Sequence, residues 1–179
     1  MRIQTSWKTE RLMIEKASLE DTIELTKICD SWENKNILEG DNFPANYIET
    51  VLKYGDLPPI KNASIDDYYF MKVKNSEERI IALFDVYHGY PDNETLWISI
   101  FVVDTEVQNS NYGREIIRSI SEKSKEANWK TLGVAVYLKN WKALRFWSNN
   151  GFDKIEGIFG DKEYNNDTHA LIGLKKILV

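Results

Sequence analysis

The sequence predicts a mixed α/β fold: a mostly antiparallel central sheet flanked by helices, with one parallel strand pair. Three observations carry this. Two strand-like runs, YYFMKV (68–73) and RIIALFDVYHGY (79–90), are joined by the polar turn KNSEE, which is a hairpin pattern. The run TLWISIFVVD (95–104) is almost wholly apolar, as a strand buried on both faces is. A helical pattern follows it and then a second buried run, TLGVAVYL (131–138); a strand–helix–strand unit of this kind implies a parallel pair.

The remaining elements follow in order. RLMIEKA (11–17) alternates like a strand. SLED (18–21) has Ser18 as a cap and Asp21 three residues on, a capping-box pattern, and Leu19, Ile23, Thr26 and Cys29 are expected to share one helix face. Around Gly40 the pattern fades. PANYIETVLKYG (44–55) reads as a second helix with Pro44 early and Gly55 as its stop, and GDLPPIKN (55–62) as a rigid loop. The helix after 95–104 runs to about Ala127. NWKALRFWSNNG (140–151) is a short helix capped by Asn140 and stopped by Gly151. FDKIEGIF and THALIGLKKIL close the chain as strands. No repeat, low-complexity tract or linker interrupts the pattern, so residues 1–179 are expected to form one domain.

Composition narrows the function classes. With 42% hydrophobic and 12% aromatic residues, the chain has the material for a core. A net charge of −5 without a Lys/Arg-dense run argues against nucleic acid and suits a cationic partner such as an amine. The single cysteine, Cys29, excludes an internal disulfide framework and reads as a packed thiol. MRIQTSWKTE holds no apolar signal region and no run is long enough to span a bilayer, so a cytoplasmic protein without a membrane partner is expected. His88 and His169 lack metal-ligand spacing, and no metal is expected. The aromatic content is compatible with a homodimer.

Chemistry gathers in two segments. FVVDTEVQNSNYGR (101–114) is a buried strand, a polar corner and the opening of a helix. The first amides of a helix lack internal partners and sit at the positive end of its dipole, which makes such a corner an anion site. VYLKNWKALRFWSNNGF (136–152) is a strand, an Asn cap and a short helix carrying Ala143, Phe146 and Trp147 before Gly151-Phe152. These segments resemble motifs A and B of the GNAT superfamily of N-acyltransferases. Gln108-Asn109-Ser110-Asn111-Tyr112-Gly113 matches Arg/Gln-x-x-Gly-x-Gly/Ala, and Asn140, Ala143, Phe146, Trp147, Gly151 and Phe152 match motif B.

The resemblance implies a GNAT-like fold with acetyl-CoA as cosubstrate and direct transfer to a primary amine of a small molecule or peptide. The backbone of Phe101, Val102 and Val103 would pair with the pantetheine arm, the parallel strands being splayed to admit it. The amides of Gln108 to Arg114 would cradle the pyrophosphate. Asn140 would contact the cofactor near its pantetheine, with Trp147 packed beside it. Two positions depart from the family. Asn111 stands where the family has glycine, and asparagine is the non-glycine residue that best tolerates left-handed backbone. Trp147 stands where many relatives have a tyrosine that protonates the departing thiolate, which an indole cannot do. The other class of function that these departures favour is a non-catalytic acyl-CoA-binding sensor.

Three further side chains are candidates. Asp85 lies inside an apolar run, so its carboxylate is paired or functional; it would hold a cationic acceptor or begin a proton relay. Tyr87 shares its strand parity and could line the same pocket, and Tyr137 could replace the missing acid. For both tyrosines a packed ring is the competing reading. Residues 31–79 match no pattern in the family. A Gly113→Glu substitution is expected to remove anion binding and spare the fold.

Overall fold

A computed structural model describes residues 1–163 and 165–178. Its strands are β1 (Ser6–Lys8), β2 (Met13–Lys16), β3 (Tyr68–Lys74), β4 (Ile80–His88), β5 (Thr95–Ile98), β6 (Phe101–Val103), β7 (Thr131–Tyr137), β8 (Lys154–Gly160) and β9 (Ala170–Ile177). The helices are α1 (Thr22–Asp30), α2 (Lys35–Glu39), α3 (Tyr47–Tyr54), α4 (Tyr112–Glu126) and α5 (Trp141–Asn149). The strands form one sheet in the order β1-β2-β3-β4-β5-β7-β9-β8, with β6 also on β4. Every pairing is antiparallel except β5 with β7.

The sheet separates two apolar layers. On one face, Ile116, Ile117 and Ile120 of α4 pack with Phe84, Val86, Leu96, Val134 and Trp147. On the other, Leu25, Ile28 and Cys29 of α1 and Ile48 and Val51 of α3 pack with Tyr68, Phe70, Leu83 and Tyr87. β4 lies between the layers and is buried throughout. Burial of each fully enclosed isoleucine contributes about 1.5–3 kcal/mol, which explains why a helix with as many charges as α4 docks so firmly.

Three expectations change. The 95–104 run is not one strand: it breaks at Ser99–Ile100 into β5 and β6. Leu19 and Ile23 are exposed at 52% and 71%, and the buried face of α1 is Leu25, Ile28 and Cys29. The reason is the 3-10 turn at Leu19–Asp21, after which the helix restarts at Thr22 with a shifted phase. Residues 35–39, where no helix is expected, form α2. The thiol of Cys29 is buried, and burial pushes its pKa to about 12, as befits a packed side chain.

Candidate functional site

The site begins at the break in the strand. Tyr87 pairs with Trp97 on β5, and Phe84 pairs with Phe101 on β6. Three steps along β4 are therefore matched by four along its partner, which is a β-bulge at Ser99–Ile100. β7 follows β5 in parallel only as far as Ile98↔Val134. Beyond that point β6 stays on β4 while residues 135–137 of β7 stay on β9. Two strand edges thus face each other without pairing, and a cleft opens between them.

Backbone bonds show which groups line it. Asp85 N donates to Ile100 O, and Asp104 N to Ile81 O. With Leu83↔Val102 between them, Val102 turns its backbone toward β4, and Phe101 and Val103 turn theirs toward the cleft. The available edge is narrower than the sequence suggests: Phe101 and Val103 present it, and Val102 does not. Gln108 Nε2 donates to Val103 O at 2.9 Å, and Lys142 Nζ reaches Gln108 Oε1, so this side chain bridges strand and α5.

The polar corner lies at one end of the cleft. Asp104 caps a short turn at Thr105–Val107 through Glu106 N, and its carboxylate also pairs with Arg79. Asn109 and Asn111 have φ of 66° and 63°, the left-handed region. Asn111 therefore holds the conformation that glycine gives elsewhere, as its residue type allows. Glu115 N is the first amide to close a helical turn, onto Asn111 O; among the described residues the amides of 109–114 have no acceptor. Ser110 and Arg114 are exposed, and Tyr112 and Gly113 half-buried. The sequence offered no sign of Arg11, which clamps the corner. Its guanidinium donates to Ser110 O at 3.2 Å, pairs with Glu115 at 2.7 Å and covers the Tyr112 ring at 4.4 Å.

Gly113 is required for closeness rather than for backbone freedom. A Cβ there would lie 3.1 Å from the Phe146 ring, whose stack on Phe101 (5.5 Å, 13°) forms the wall between α4, α5 and β6. Gly113→Glu would therefore press on that wall as well as the corner, and the Phe146 ring would have to give by a few tenths of an ångström.

Across the cleft from the corner, on the β7 side, Asn140 Oδ1 accepts from Ala143 N at 3.0 Å, the predicted cap. Its Nδ2 donates to Glu39 Oε1 at 3.3 Å, so α2 closes onto the start of α5. Glu39 also lies 3.7 Å from Lys35, yet burial raises its pKa. Tyr137 is half-buried beside His169, and its pKa is raised by burial and then by Glu39 and Asp41. His169 Nε2 is buried without a partner among the described residues. Glu39 was missed in the sequence because it lies in a segment without a helical or strand period, and His169, noted there only for lacking metal-ligand spacing, carries no local signal of its place beside Tyr137.

Asp85 and Tyr87 stand one layer behind the cleft. Asp85 is fully buried; its Oδ1 accepts from Ser99 N at 2.7 Å and Ile100 N at 2.9 Å. Burial raises its pKa to about 7, opposed by those two amides. Tyr87 faces the same layer, and its hydroxyl accepts from Ser64 N, fastening the loop before β3 to the sheet. Trp147 is 5% exposed, edge-on to Phe101, Phe146 and Phe152. His88 is structural: Nε2 accepts from Ile3 N, and Nδ1 bonds to Asp67 O.

The model of the acetyltransferase (GNAT) domain family matches residues 14–170. The chain belongs to the GNAT acetyltransferase family. As a member, it is an acyltransferase by family, and its mixed sheet with one parallel pair is the fold of its structural neighbours. An acetyltransferase from Thermus thermophilus superposes with a TM-score of 0.72 at 18% identity, covering 99% of this chain and 100% of that one. Spermidine N-acetyltransferase from Vibrio cholerae, solved with CoA and spermine, gives 0.72 at 13% identity over 95% and 97%. The ribosomal-protein-S18-alanine N-acetyltransferase from Escherichia coli gives 0.68 at 14% over 93% and 94%. No curated protein sequence matches the chain. At these identities the likeness to the solved structures is one of fold. No helix among the described residues is long and apolar enough to cross a membrane.

Proposed function

We propose that this GNAT member transfers the acetyl group of acetyl-CoA directly to a primary amine of a small molecule or peptide, residues 1–179 acting as one catalytic domain in the cytoplasm. The observation that carries the reading is the cleft: a strand edge at Phe101 and Val103 that pairs with no other strand, its Val103 carbonyl met only by the Gln108 side chain, leads to a corner whose amides, 109–114, have no acceptor among the described residues. The edge suits an amide-bearing arm laid in as an extra strand, and the corner suits its pyrophosphate. Arg11 and Lys142 flank the corner with positive charge. Asn140 at the start of α5 bounds the arm on the β7 side, with the ring of Trp147 packed behind it.

The reaction needs a neutral amine, a polarised thioester and a proton for the leaving sulfur. The amine nitrogen attacks the carbonyl carbon while an amide of the β6 edge supports the oxyanion; the C–S bond then breaks, the nitrogen gives up one proton to water and the departing thiolate takes one up. The thiol of CoA, with a pKa near 8.5, leaves readily without an acid. Tyr137 keeps its proton at neutral pH because burial and the neighbouring carboxylates disfavour phenolate, so its hydroxyl can donate a hydrogen bond to the departing sulfur. Glu39, Asp41 and the net charge of −5 favour a cationic acceptor.

Calorimetric titration with acetyl-CoA, followed by thiol release over a panel of polyamines and peptide N-termini, tests this. Binding with release on at least one amine is expected; no binding would end the proposal. Ser110→Glu gives the site-specific test, since Ser110 is exposed and can change without repacking: affinity should fall by about tenfold or more from like-charge repulsion at the corner. The burial of Trp147 among phenylalanines, where no proton can be donated, favours one rival, a non-catalytic acyl-CoA sensor. Tight binding with no release on any amine would select it.

A further inference from the structure

We propose that Asp85 is a positioning residue whose carboxylate holds the bulge at Ser99–Ile100 and thereby sets the width of the cleft, rather than a group that touches either substrate. The inference rests on the acetyl-transfer reading for its activity arm and on geometry alone for the rest.

In a regular strand, successive N–H groups point to opposite edges. Here the amides of Ser99 and Ile100 converge on one oxygen, Asp85 Oδ1, at 2.7 and 2.9 Å. Such convergence exists only where the strand is kinked, and a single acceptor gripping both amides fixes the kink. Asp85 N donates in turn to Ile100 O, so one residue of β4 holds Ile100 by both its amide and its carbonyl. The bulge is also where the pairing with β7 ends, β5 being on β7 and β6 not, so whatever fixes the bulge fixes the separation of Phe101 and Val103 from residues 135–137.

The rest of the carboxylate is enclosed. Asp85 is 0% exposed, and Oδ2 has no partner among the described residues. Tyr68, diagonal to it across β3 and β4, has a buried hydroxyl that is also unpartnered. Leu83 and Tyr87, which share its strand parity, face the α1–α3 layer, and the carboxylate has no solvent-exposed surface in this conformation. Its grip does not require charge, because a protonated carboxyl keeps one oxygen free to accept both amides.

The test compares Asp85→Asn with Asp85→Leu. The asparagine keeps an amide oxygen for Ser99 N and Ile100 N, and its NH₂ faces the Tyr68 hydroxyl. It should retain kcat and acetyl-CoA affinity within a few-fold. The leucine leaves both amides unpaired, and a shifted cleft edge should cost about 10²-fold in kcat together with a weaker acetyl-CoA affinity. An asparagine variant as inactive as the leucine, with cofactor affinity intact, would make Asp85 a general base and overturn the proposal. So would a leucine variant with unchanged kcat and affinity. Should the leucine variant not fold, amide hydrogen exchange on the wild type and Asp85→Asn decides. Ser99 and Ile100 should exchange as slowly as the core of β4 in both; exchange at loop rates would overturn the grip. This arm stands even if the protein fails to bind acetyl-CoA, an outcome that would sink only the functional reading.

Discussion

A carboxylate enclosed by apolar side chains shapes stability as well as geometry. Asp85 ionises near 3.8 when exposed and near 7 in the fold, where burial is the dominant cause and Asp56 adds to it. The groups around it are the phenols of Tyr68 and Tyr47 and the thiol of Cys29, all held protonated by burial, and the Asp56 carboxylate, which burial also raises. Asp56 is present in wild type and variant alike, so its own titration largely cancels in a comparison of the two. Between pH 3.8 and about 7 the native state keeps a proton on Asp85 that the unfolded chain has lost. The contribution is thus fully present below about 4 and is lost as pH rises through about 7. Asp85→Asn has no such proton to lose. Its stability relative to wild type should increase from pH 5 to pH 8, read as the difference in urea midpoints. A difference that stays flat would mean that Asp85 is ionised throughout and better solvated than its burial implies. Gly113 makes a different residue-scale point. The sequence marks it as the last glycine of a phosphate motif, whereas its neighbours show a ring-packing constraint that no single-chain pattern reveals.

Elements were legible in the sequence where local rules govern them. Asn140 caps α5 through Ala143 N, Gly55 ends α3 with φ of 76°, and α4 starts on a left-handed Asn111. Each of these is set by residues within one turn of each other. The break between β5 and β6 was not legible, because the group that makes it lies 14 residues upstream on a neighbouring strand. The clamp by Arg11 was hidden for the same reason, since it joins residues 99 apart in the chain. Two predictions belong to this scale. Arg11→Ala removes the pair with Glu115, the bond to Ser110 O and the cover over Tyr112. The pair is partly exposed, so the stability cost should be only about 0.5–1 kcal/mol. The corner loses its external support, so acetyl-CoA affinity should fall by more than that cost implies; equal affinity would show that the corner is held by its own turns. Ile120→Ala, by contrast, opens a cavity beneath α4 and should cost about 2–5 kcal/mol in denaturant unfolding. It should leave cofactor affinity in the folded protein little changed, since Ile120 lies two turns from the corner.

Across the whole molecule, one sheet serves two purposes. β1 to β4 pair in succession, with β4 buried between the layers, while the split between β6 and β7 leaves a gap in the sheet that no described residue fills. A ligand strand in that gap would join the two halves, and its effect should be unevenly distributed. At a hundredfold excess over Kd, binding adds about 2.7 kcal/mol to the unfolding free energy. For a chain of 179 residues that corresponds to a rise in thermal midpoint of roughly 5–10 °C. Hydrogen exchange should locate the gain. Phe101, Val103, residues 135–137 and the amides of 109–114 should slow markedly on adding acetyl-CoA. β1 to β3 should change only by the global increment, because their pairings do not border the gap. Uniform slowing without the local component would place the cofactor elsewhere, and the gap would then be a feature of the fold with no role in binding.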